Sequence, residues 1–314
     1  MALKEPTGPN DLLAKMKDIE TRARARLKQR REQGLLPLSE ADPPPPAQAV
    51  KLPLWPEAVR AVPNGVLRSA LFGAIRRGPR KYLDREKVGA LEGVEIEYTG
   101  QRLDQGDLDV WECVLHIARA QAMGQECRFT AYAMLKMLGK ADTGGNREVL
   151  HRKLLRLRAN AVEMKQGRFS YIGGLLDEVY KDNTTHEYVV VINQKLHPLF
   201  TADQFTQIDW DVRRALDGKP LAQWLHGFYA SHAQPYPVSI AKLYELSGSE
   251  ASELWKFAQT LRKNLDSLAK ASVMHGQLFN YFIQNDVVHA SKLPSRSQQL
   301  HLKKMIKKSK TNKI

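Results

Sequence analysis

Two segments of this chain combine a leucine stripe at helical spacing with an opposite face of positive charge. In the first segment, Leu150, Leu154, Leu157 and Ala161 recur in steps of three or four and predict one buried stripe. The basic residues that fall off this stripe are expected to face solvent or a ligand: Arg147, Arg152, Lys153, Arg156 and Arg158. Lys and Arg side chains can bind phosphate groups, and this segment has few side chains that could distinguish one base from another. The helix is therefore expected to bind the DNA backbone and position the protein on it.

The second segment has the same design with a richer polar face. Its predicted buried stripe consists of Leu254, Phe257, Leu261, Leu265 and Leu268. The remaining face carries Lys256, Gln259, Thr260, Arg262, Lys263 and Asn264. Gln and Asn can pair with adenine edges and Arg with guanine, so this face could read bases as well as bind phosphates. For a lone helix of this kind, an ordinary solvated basic side would be the favoured interpretation. Two such helices in the same position of a repeated unit would favour DNA contact instead.

The elements around these two helices follow one order that occurs twice. The first copy is predicted as helices at 108–122 and 130–138, a Gly-containing turn, the basic helix, and β-like runs within 168–180 and 186–193. The second copy is predicted as helices at 219–233 and 238–246, a turn, a basic helix at 250–270, and two β-like runs within 278–291. Leu115-His116 in the first copy falls where Leu225-His226 falls in the second, which indicates one supersecondary unit used twice.

This order is that of a winged helix-turn-helix, whose third helix enters the major groove while the hairpin lies along the backbone. We therefore predict an α+β fold of two tandem winged-helix domains with a flexible basic N-terminal segment and a basic C-terminal tail. Arg168 and Lys181 flank the first hairpin, and His289 and Lys292 the second, where Arg168 and Lys292 are candidate DNA contacts. The expected boundaries are 1–51 for the N-terminal segment and its linker, 52–209 and 210–293 for the two domains, and 294–314 for the tail.

The parts outside the repeat are less regular. Residues 11–33 are helix-prone and basic but poor in apolar residues, which predicts a loose or partner-induced helix, and the prolines at 43–46 predict a linker. A helix at about 64–75 and strands near 81–83 and 94–99 are expected before the first copy. The tail, with six lysines from Lys303 onward and no acid, is expected to be disordered and to add non-specific affinity.

Composition agrees with a nucleic-acid partner without requiring one. Lys and Arg number 48 against 34 Asp and Glu, a balance that ribosomal, membrane-surface and acid-binding proteins share. No apolar run approaches a membrane span and the N-terminus lacks a signal-peptide core, so a cytoplasmic protein with no membrane partner is expected. Cys113 and Cys127 lie in helix-like segments without metal-ligand spacing and are expected to be reduced, buried thiols.

Signals for catalysis are weak, and we expect no enzyme activity, no catalytic residue, no metal and no cofactor. A phosphate-binding Gly-rich loop is missing, and the histidines are scattered without the pair that a relaxase needs. The single Asp142-Thr143-Gly144 resembles half of an aspartic-protease site, but the start of a helix is the better interpretation. Aromatic residues of the two hairpins could stack unpaired bases, although core packing is the favoured use: Tyr171, Phe279, Tyr281 and Phe282.

Four segments then identify a family. Residues 54–75, 94–118, 231–243 and 285–292 resemble, in collinear order, the TrfA-type plasmid replication initiators, which are iteron-binding Rep proteins. The most specific part is the run Pro63, Asn64, Arg68, Ser69, Ala70, Leu71 and Phe72. The resemblance implies two winged-helix domains that bind origin repeats (iterons), as monomers in equilibrium with inactive dimers. It also implies that an adjacent AT-rich region opens into single strands and that the host helicase, host initiator and sliding clamp are recruited.

One departure concerns the clamp. Relatives carry Gln-Leu-Ser-Leu-Phe before a Trp-Pro, whereas the candidates here are residues 48–52 and 51–55, with Lys51 in place of Gln and Trp55 in place of Phe. Leu52, Leu54 and Trp55 are therefore hypothetical clamp contacts, and the alternative is that Leu54 and Trp55 dock the linker onto the first domain. The alternative function is a sequence-specific transcriptional regulator that binds DNA without melting it.

Overall fold

The computed structural model of the chain describes residues 17–23, 25–26, 28–29, 50–76, 78–166, 169–182, 184–201 and 203–311. The chain divides into two units, Met1–Ala49 and Val50–Ile314. In the first unit the described residues are helical and exposed, with an ion pair of 2.7 Å between Arg22 and Asp18. The helix expected within 11–33 is thus present over these residues, and the proline linker lies outside the described part.

The second unit begins with a half that contains most of the strands. In chain order its elements are β1 (Val59–Pro63), α1 (Asn64–Leu67), β2 (Phe72–Gly73), β3 (Tyr82–Lys87), β4 (Val94–Gln101), β5 (Leu103–Asp104), α2 (Gln105–Ala118), β6 (Glu126–Thr130), α3 (Ala131–Met137), α4 (Gly144–Arg158), β7 (Ala161–Gln166), β8 (Phe169–Gly173), β9 (Glu178–Lys181), β10 (Glu187–Val191), a 3-10 helix (Gln194–Phe200) and β11 (Phe205–Asp209). The sheets have the orders β3-β4-β7-β8 and β6-β10-β9, with smaller pairs β1-β11 and β2-β5.

The second half is simpler. Its elements are α5 (Trp210–Ala215), α6 (Pro220–Ala230), β12 (Val238–Ser239), α7 (Ile240–Ser247), α8 (Leu254–Met274), β13 (Phe279–Gln284), β14 (Val287–Lys292) and α9 (Arg296–Thr311). Helix α7 ends at Gly248, whose left-handed backbone (φ +57°) suits a residue without a Cβ. The sheet has the order β12-β14-β13. The mixed helix and strand fold expected from the sequence is confirmed.

The two halves share a pairing pattern that the sequence could not show. In each, a strand precedes the middle helix and pairs antiparallel with the second strand of the hairpin, β6 with β10 and β12 with β14. Each hairpin follows a long helix, α4 or α8. In the first half, however, the hairpin β7-β8 is inserted after α4 and pairs with β4. The expected run 168–180 is therefore split, with Phe169–Gly173 in one sheet and Glu178–Lys181 in another.

Two hydrophobic clusters form the core. One contains Trp111, Leu154 and residues up to Trp210, and the other begins at Val212 and contains Phe257. Partly buried Ala74 and Leu91, although early in the chain, pack against the second cluster. The two halves of the unit are therefore in contact, each around its own core.

Three local expectations are wrong. The helix predicted at 64–75 ends at Leu67, because Phe72–Gly73 pairs in parallel with Leu103–Asp104 instead. The helix predicted at 108–122 spans Gln105–Ala118, since Asp104 and Asp107 form a capping box that starts it earlier. Cys127 lies in strand β6 and not in a helix, although both cysteines are free and buried as expected.

The tail is also corrected. Residues Arg296–Thr311 form helix α9, so the disorder expected for 294–314 is wrong over this range. The start of α9 is attached to the second half, because Gln298 donates from Nε2 to Ala230 O (2.8 Å) and accepts from Lys292 Nζ (2.8 Å). Within the described residues, none of the helices has the length and apolar character required to cross a bilayer.

Candidate nucleic-acid interface

Helix α4 is built as the first amphipathic segment predicts. Thr143 caps its start by accepting from the amide of Asn146 (3.2 Å), which confirms that Asp142-Thr143-Gly144 begins a helix. Leu150, Leu154 and Leu157 are buried. Ala161, the fourth expected member of the stripe, is exposed in strand β7, since the helix ends at Arg158.

The basic side chains of α4 differ in what they contact. Arg147 makes two bonds to the carboxylate of Asp142 (2.6 and 2.7 Å), and exposed Arg152 lies 3.9 Å from Glu148. Arg158 is exposed at the last turn. These three arginines remain accessible to a ligand.

Arg156 is the exception on this helix. Its side chain is only 16% exposed, and its Nη2 lies 2.7 Å from Oδ1 of the fully buried Asp107. Burial and the neighbouring Asp104 raise the pKa of Asp107 to about 6, while the bonds from Arg156 oppose this rise. The expectation that Arg156 faces solvent or a ligand is therefore wrong, because its charge compensates a buried carboxylate. Lys153 is partly buried and donates to Gly106 O (2.9 Å).

Helix α8 presents the polar face expected of the second segment. Phe257, Leu261, Leu265 and Leu268 are buried, whereas Leu254 is 45% exposed because it lies at the helix start, outside the core. The opposite face is exposed and consists of Lys256, Gln259, Thr260, Arg262 and Lys263. The side chains capable of base readout therefore lie together on one accessible surface.

Asn264 has a different role from the one expected. Its Oδ1 accepts from the amide of Ala222 at the start of α6 (3.1 Å), and its Nδ2 donates to Thr260 O (2.7 Å). Both ends of the amide are thus bonded within the protein. Asn264 attaches α8 to α6 and has little capacity left for a base.

Trp255 was missed by the sequence interpretation. It is 58% exposed in the first turn of α8, and the Lys256 ammonium lies 5.4 Å from its ring centroid. An exposed aromatic ring beside a cation can stack on a nucleic-acid base. An aromatic residue outside the leucine stripe was the signal that could have found it.

The hairpins carry the remaining candidates. Arg168 lies outside the described residues, and Lys181 is exposed at the end of β9. Lys292 is partly buried, and its burial lowers its pKa to about 8. Because its ammonium already donates to Gln298, Lys292 is a weaker candidate phosphate contact than the exposed lysines of α8.

The aromatic residues of the hairpins divide in the same way. Tyr171 and Phe279 are buried in the core. Tyr281 donates its hydroxyl hydrogen to Asp266 (2.6 Å). Phe282 is 58% exposed and stacks on His289 with ring centroids 4.5 Å apart, so of these four it alone offers a free ring face.

The segment proposed for clamp binding is mostly docked. Leu52 and Trp55 are buried, and only Leu54 is exposed, at 78%. Trp55 donates from Nε1 to His116 Nδ1 (3.0 Å), and His116 Nε2 donates to Glu57 (2.8 Å). Burial lowers the pKa of His116, which keeps the ring neutral and able to accept from Trp55. This geometry favours the docking alternative for Trp55 and leaves Leu54 as the accessible residue.

Metal chemistry has no support in the described ranges, where no group of three or more His, Cys, Asp and Glu side chains could hold an ion. The site is therefore a set of cations, amides and aromatic rings on α4, α8 and the hairpins. Such a set binds phosphates and base edges through charge and hydrogen bonds.

Comparison with known proteins identifies similar chains. A family model described as "TrfA protein" matches residues 47–292. The plasmid replication initiator protein TrfA of Escherichia coli is 26% identical over 246 residues, covering 76% of this chain and 63% of that protein. The match thus spans less than two thirds of that relative.

Solved structures give weaker likenesses. A crystal structure of domains 2 and 3 of RctB aligns with a TM-score of 0.49 and 14% identity, covering 73% of this chain and 97% of that chain. The Pi initiator protein in complex with iteron DNA aligns with a TM-score of 0.45 and 9% identity, covering 60% and 91%.

Proposed function

Because this chain belongs to the TrfA protein family, we propose that it is a plasmid replication initiator that binds the repeats of an origin through two winged-helix domains. The domains would comprise residues 52–209 and 210–293, and the core clusters divide near the same point, since the first includes Trp210 and the second begins at Val212. Support comes from the strand order β6-β10-β9 and its counterpart β12-β14-β13, each combined with a preceding long helix. The third-helix position of α4 and α8 is the one that enters a major groove.

The observation that carries this proposal is the exposed face of α8. Five side chains able to bond phosphates or base edges lie there, opposite the buried side chains of the apolar stripe: Lys256, Gln259, Thr260, Arg262 and Lys263. Helix α4 offers Arg147, Arg152 and Arg158, and its amide side chain, Asn146, donates to Ala141 O (2.8 Å) within the protein. We propose that α8 reads sequence while α4 grips the backbone, about one helical turn away on the same face of the duplex.

The mechanism depends on charge and on DNA deformability. If the two domains neutralise about eight phosphates, affinity should fall on the order of a thousandfold between low and moderate salt. Several copies bound at adjacent repeats would bend the duplex and lower the cost of melting flexible AT-rich steps. The basic hairpins could then hold the exposed single strand.

A gel shift against origin repeats tests the reading helix. Arg262→Ala and Lys263→Ala should each weaken binding, and an Arg262 contact to guanine should cost about 1–3 kcal/mol and relax preference at one base pair. Lys87→Ala, an exposed cation on strand β3, is the matched control and should bind as the wild type does. Unchanged binding by both α8 variants would show that the assigned face is wrong.

Melting separates an initiator from a transcriptional regulator. Permanganate footprinting of origin DNA should reveal unpaired thymines in the AT-rich region when the protein is added. A regulator would protect the repeats and leave the thymines paired. We propose no enzymatic step, so supercoiled plasmid incubated with the protein and divalent metal should stay unnicked.

The partners follow from the same proposal. We propose that the protein acts in the cytoplasm, shifts between DNA-binding monomers and dimers, and recruits the host helicase, host initiator and sliding clamp. Clamp recruitment through residues 52–55 would rely on Leu54 unless the docked Trp55 is released. The basic N-terminal segment and α9 would add non-specific affinity for DNA.

A further inference from the structure

An open cleft of about 770 Å³ lies between the two halves of the larger unit. Residues of α3 and α4 form one wall, and residues of α5 and the start of α6 form the other. The beginning of α2 and the segment around Arg76 complete the lining. A ligand in this cleft would therefore contact both proposed DNA-binding halves at once.

The lining has more positive than negative side chains. Eight of its side chains are Lys or Arg and three are Asp, an excess of 8 − 3 = 5 positive charges. Each of the three aspartates is already paired with a cation of the same lining: Asp104 with Arg80, Asp109 with Arg213, and Asp217 with Lys140. The cleft therefore remains cationic after its internal ion pairs are counted.

The other cations of the lining differ in availability. Three have an acidic neighbour outside the lining: Arg156 near Asp107, Arg214 near Asp211 and Arg152 near Glu148. Arg76 and Lys153 have no carboxylate within ion-pair distance in the part of the chain that the structure describes. Lys153 bonds a backbone carbonyl, whereas Arg76 is exposed. Arg76 is thus the cation of the lining most available to an external phosphate.

Lys219 lies between the cleft and α8. It lies between Gly218 and Pro220, which both line the cleft, and its side chain is directed to α8, where Nζ donates to Ser267 Oγ (3.2 Å). Ser267 lies one turn beyond Lys263 on the same helix. Lys219 is exposed and is not itself part of the lining, so it lies at the edge of the cleft, next to the polar face of α8.

We propose that this cleft binds the sugar–phosphate backbone of the duplex between its two major-groove contacts, with Arg76 in the lining and Lys219 at the edge of the cleft as phosphate ligands. The inference rests on the proposed function. Its physical basis is that one polyanionic strand can satisfy an open, elongated set of cations, each contact releasing condensed counterions. Because backbone contacts carry no sequence information, these residues set affinity and the spacing between the two domains on DNA.

The test compares two double variants that each remove two positive charges. Arg76→Ala/Lys219→Ala should lower the slope of log affinity against log salt by about 1.8, because each phosphate contact contributes about 0.9. Relative affinities for repeats with single base changes should stay the same. The control Lys87→Ala/Lys165→Ala alters exposed residues of the sheet β3-β4-β7-β8 and should keep the wild-type slope.

Phosphate ethylation interference gives a second measurement on the unaltered protein. Ethyl groups on phosphates between the two groove contacts should inhibit wild-type binding, and this inhibition should disappear in the cleft variant. An unchanged slope together with unchanged interference would overturn the inference, as would an equal loss of slope in the control. Saturable calorimetric binding of inorganic phosphate that the cleft variant loses would instead identify a small-anion site. Failure of the wild type to prefer repeats over random DNA would be a failure of the proposed function itself.

Discussion

Arg213 and Glu112 form a buried ion pair in which Nε of Arg213 lies 3.1 Å from Oε2 of Glu112. The same nitrogen lies 2.7 Å from Oδ1 of Asp109. Arg213 belongs to α5 in the second half, whereas both acids belong to α2 in the first. Burial raises the pKa of Glu112 above its ordinary value, and the positive charge of Arg213 opposes this rise. The guanidinium of Arg213 therefore connects the two halves, because it compensates the negative charge of carboxylates from the other half.

Removing this guanidinium should be far more costly than removing its neighbour. Arg213→Met leaves two carboxylates without their cation, which should lower the free energy of unfolding by about 3–5 kcal/mol. Arg214→Met breaks an exposed pair with Asp211 and should cost less than about 1 kcal/mol. Urea denaturation at pH 8 measures both. Equal effects of the two substitutions would show that the buried pair does not stabilise the contact between the halves.

Substitutions of two arginines of α4 should have different effects, one mainly on stability and the other mainly on DNA binding. Arg156→Ala leaves Asp107 buried and unpaired and should lower the free energy of unfolding by about 3 kcal/mol. Arg152→Ala changes an exposed residue, so it should leave stability within about 0.5 kcal/mol while weakening DNA binding uniformly across sequences. Denaturation and gel shifts on both variants make the comparison. A base-specific loss for Arg152→Ala would reverse the proposed division between α4 and α8.

The segment before β1 contains one buried and one exposed residue whose substitutions can be compared in the same way. Trp55 is 4% exposed and bonded to His116, so Trp55→Ala should destabilise the protein by about 3–5 kcal/mol. Leu54→Ala removes an exposed side chain and should leave the unfolding midpoint unchanged. Clamp pull-down with Leu54→Ala then tests a partner contact without a folding defect. If this variant retained the clamp as fully as the wild type does, clamp binding through residues 52–55 would be contradicted.

Two buried histidines predict a loss of stability in acid. Burial lowers the pKa of His226 to about 3 and that of His232 to about 4, against 6.5 in the unfolded chain. The unfolded state therefore binds more protons between these values, so stability is complete above about pH 6.5 and falls as the pH decreases. Between pH 6 and 4, each histidine should therefore lower the free energy of unfolding by about 1.4 kcal/mol for every unit by which the pH falls.

The contribution of His226 to this pH dependence is obtained by comparing the wild type with a variant that lacks the histidine. His226→Gln should reduce the slope of unfolding free energy against pH by about 1.4 kcal/mol per unit relative to the wild type. His275→Gln alters an exposed histidine and serves as the matched control. Parallel pH profiles for the wild type and His226→Gln would contradict the prediction.

Periodicity was enough to predict the elements that matter most. The apolar stripes of α4 and α8 are buried as their spacing indicated, except for Ala161 and Leu254 at their ends, because residues three or four positions apart lie on one face of a helix. The family resemblance, carried by residues 54–75 and three later segments, is confirmed by the match over residues 47–292. Errors concentrated where long-range pairing competes with local preference, as at Phe72–Gly73, which pairs with Leu103–Asp104.

The sequence alone therefore determined that two polar, basic helix faces exist and roughly which residues they contain. Tertiary structure decided which of those residues remain available. Arg156 is bonded to Asp107 and Asn264 to Ala222, in each case by a partner more than 40 positions away in the chain. The sequence likewise could not show the cationic cleft between the halves, since its lining residues Arg76 and Arg214 are separated by 138 positions (214 − 76). Spacing specifies the face of a helix, but only the packing of distant segments specifies whether a charge on that face is already neutralised.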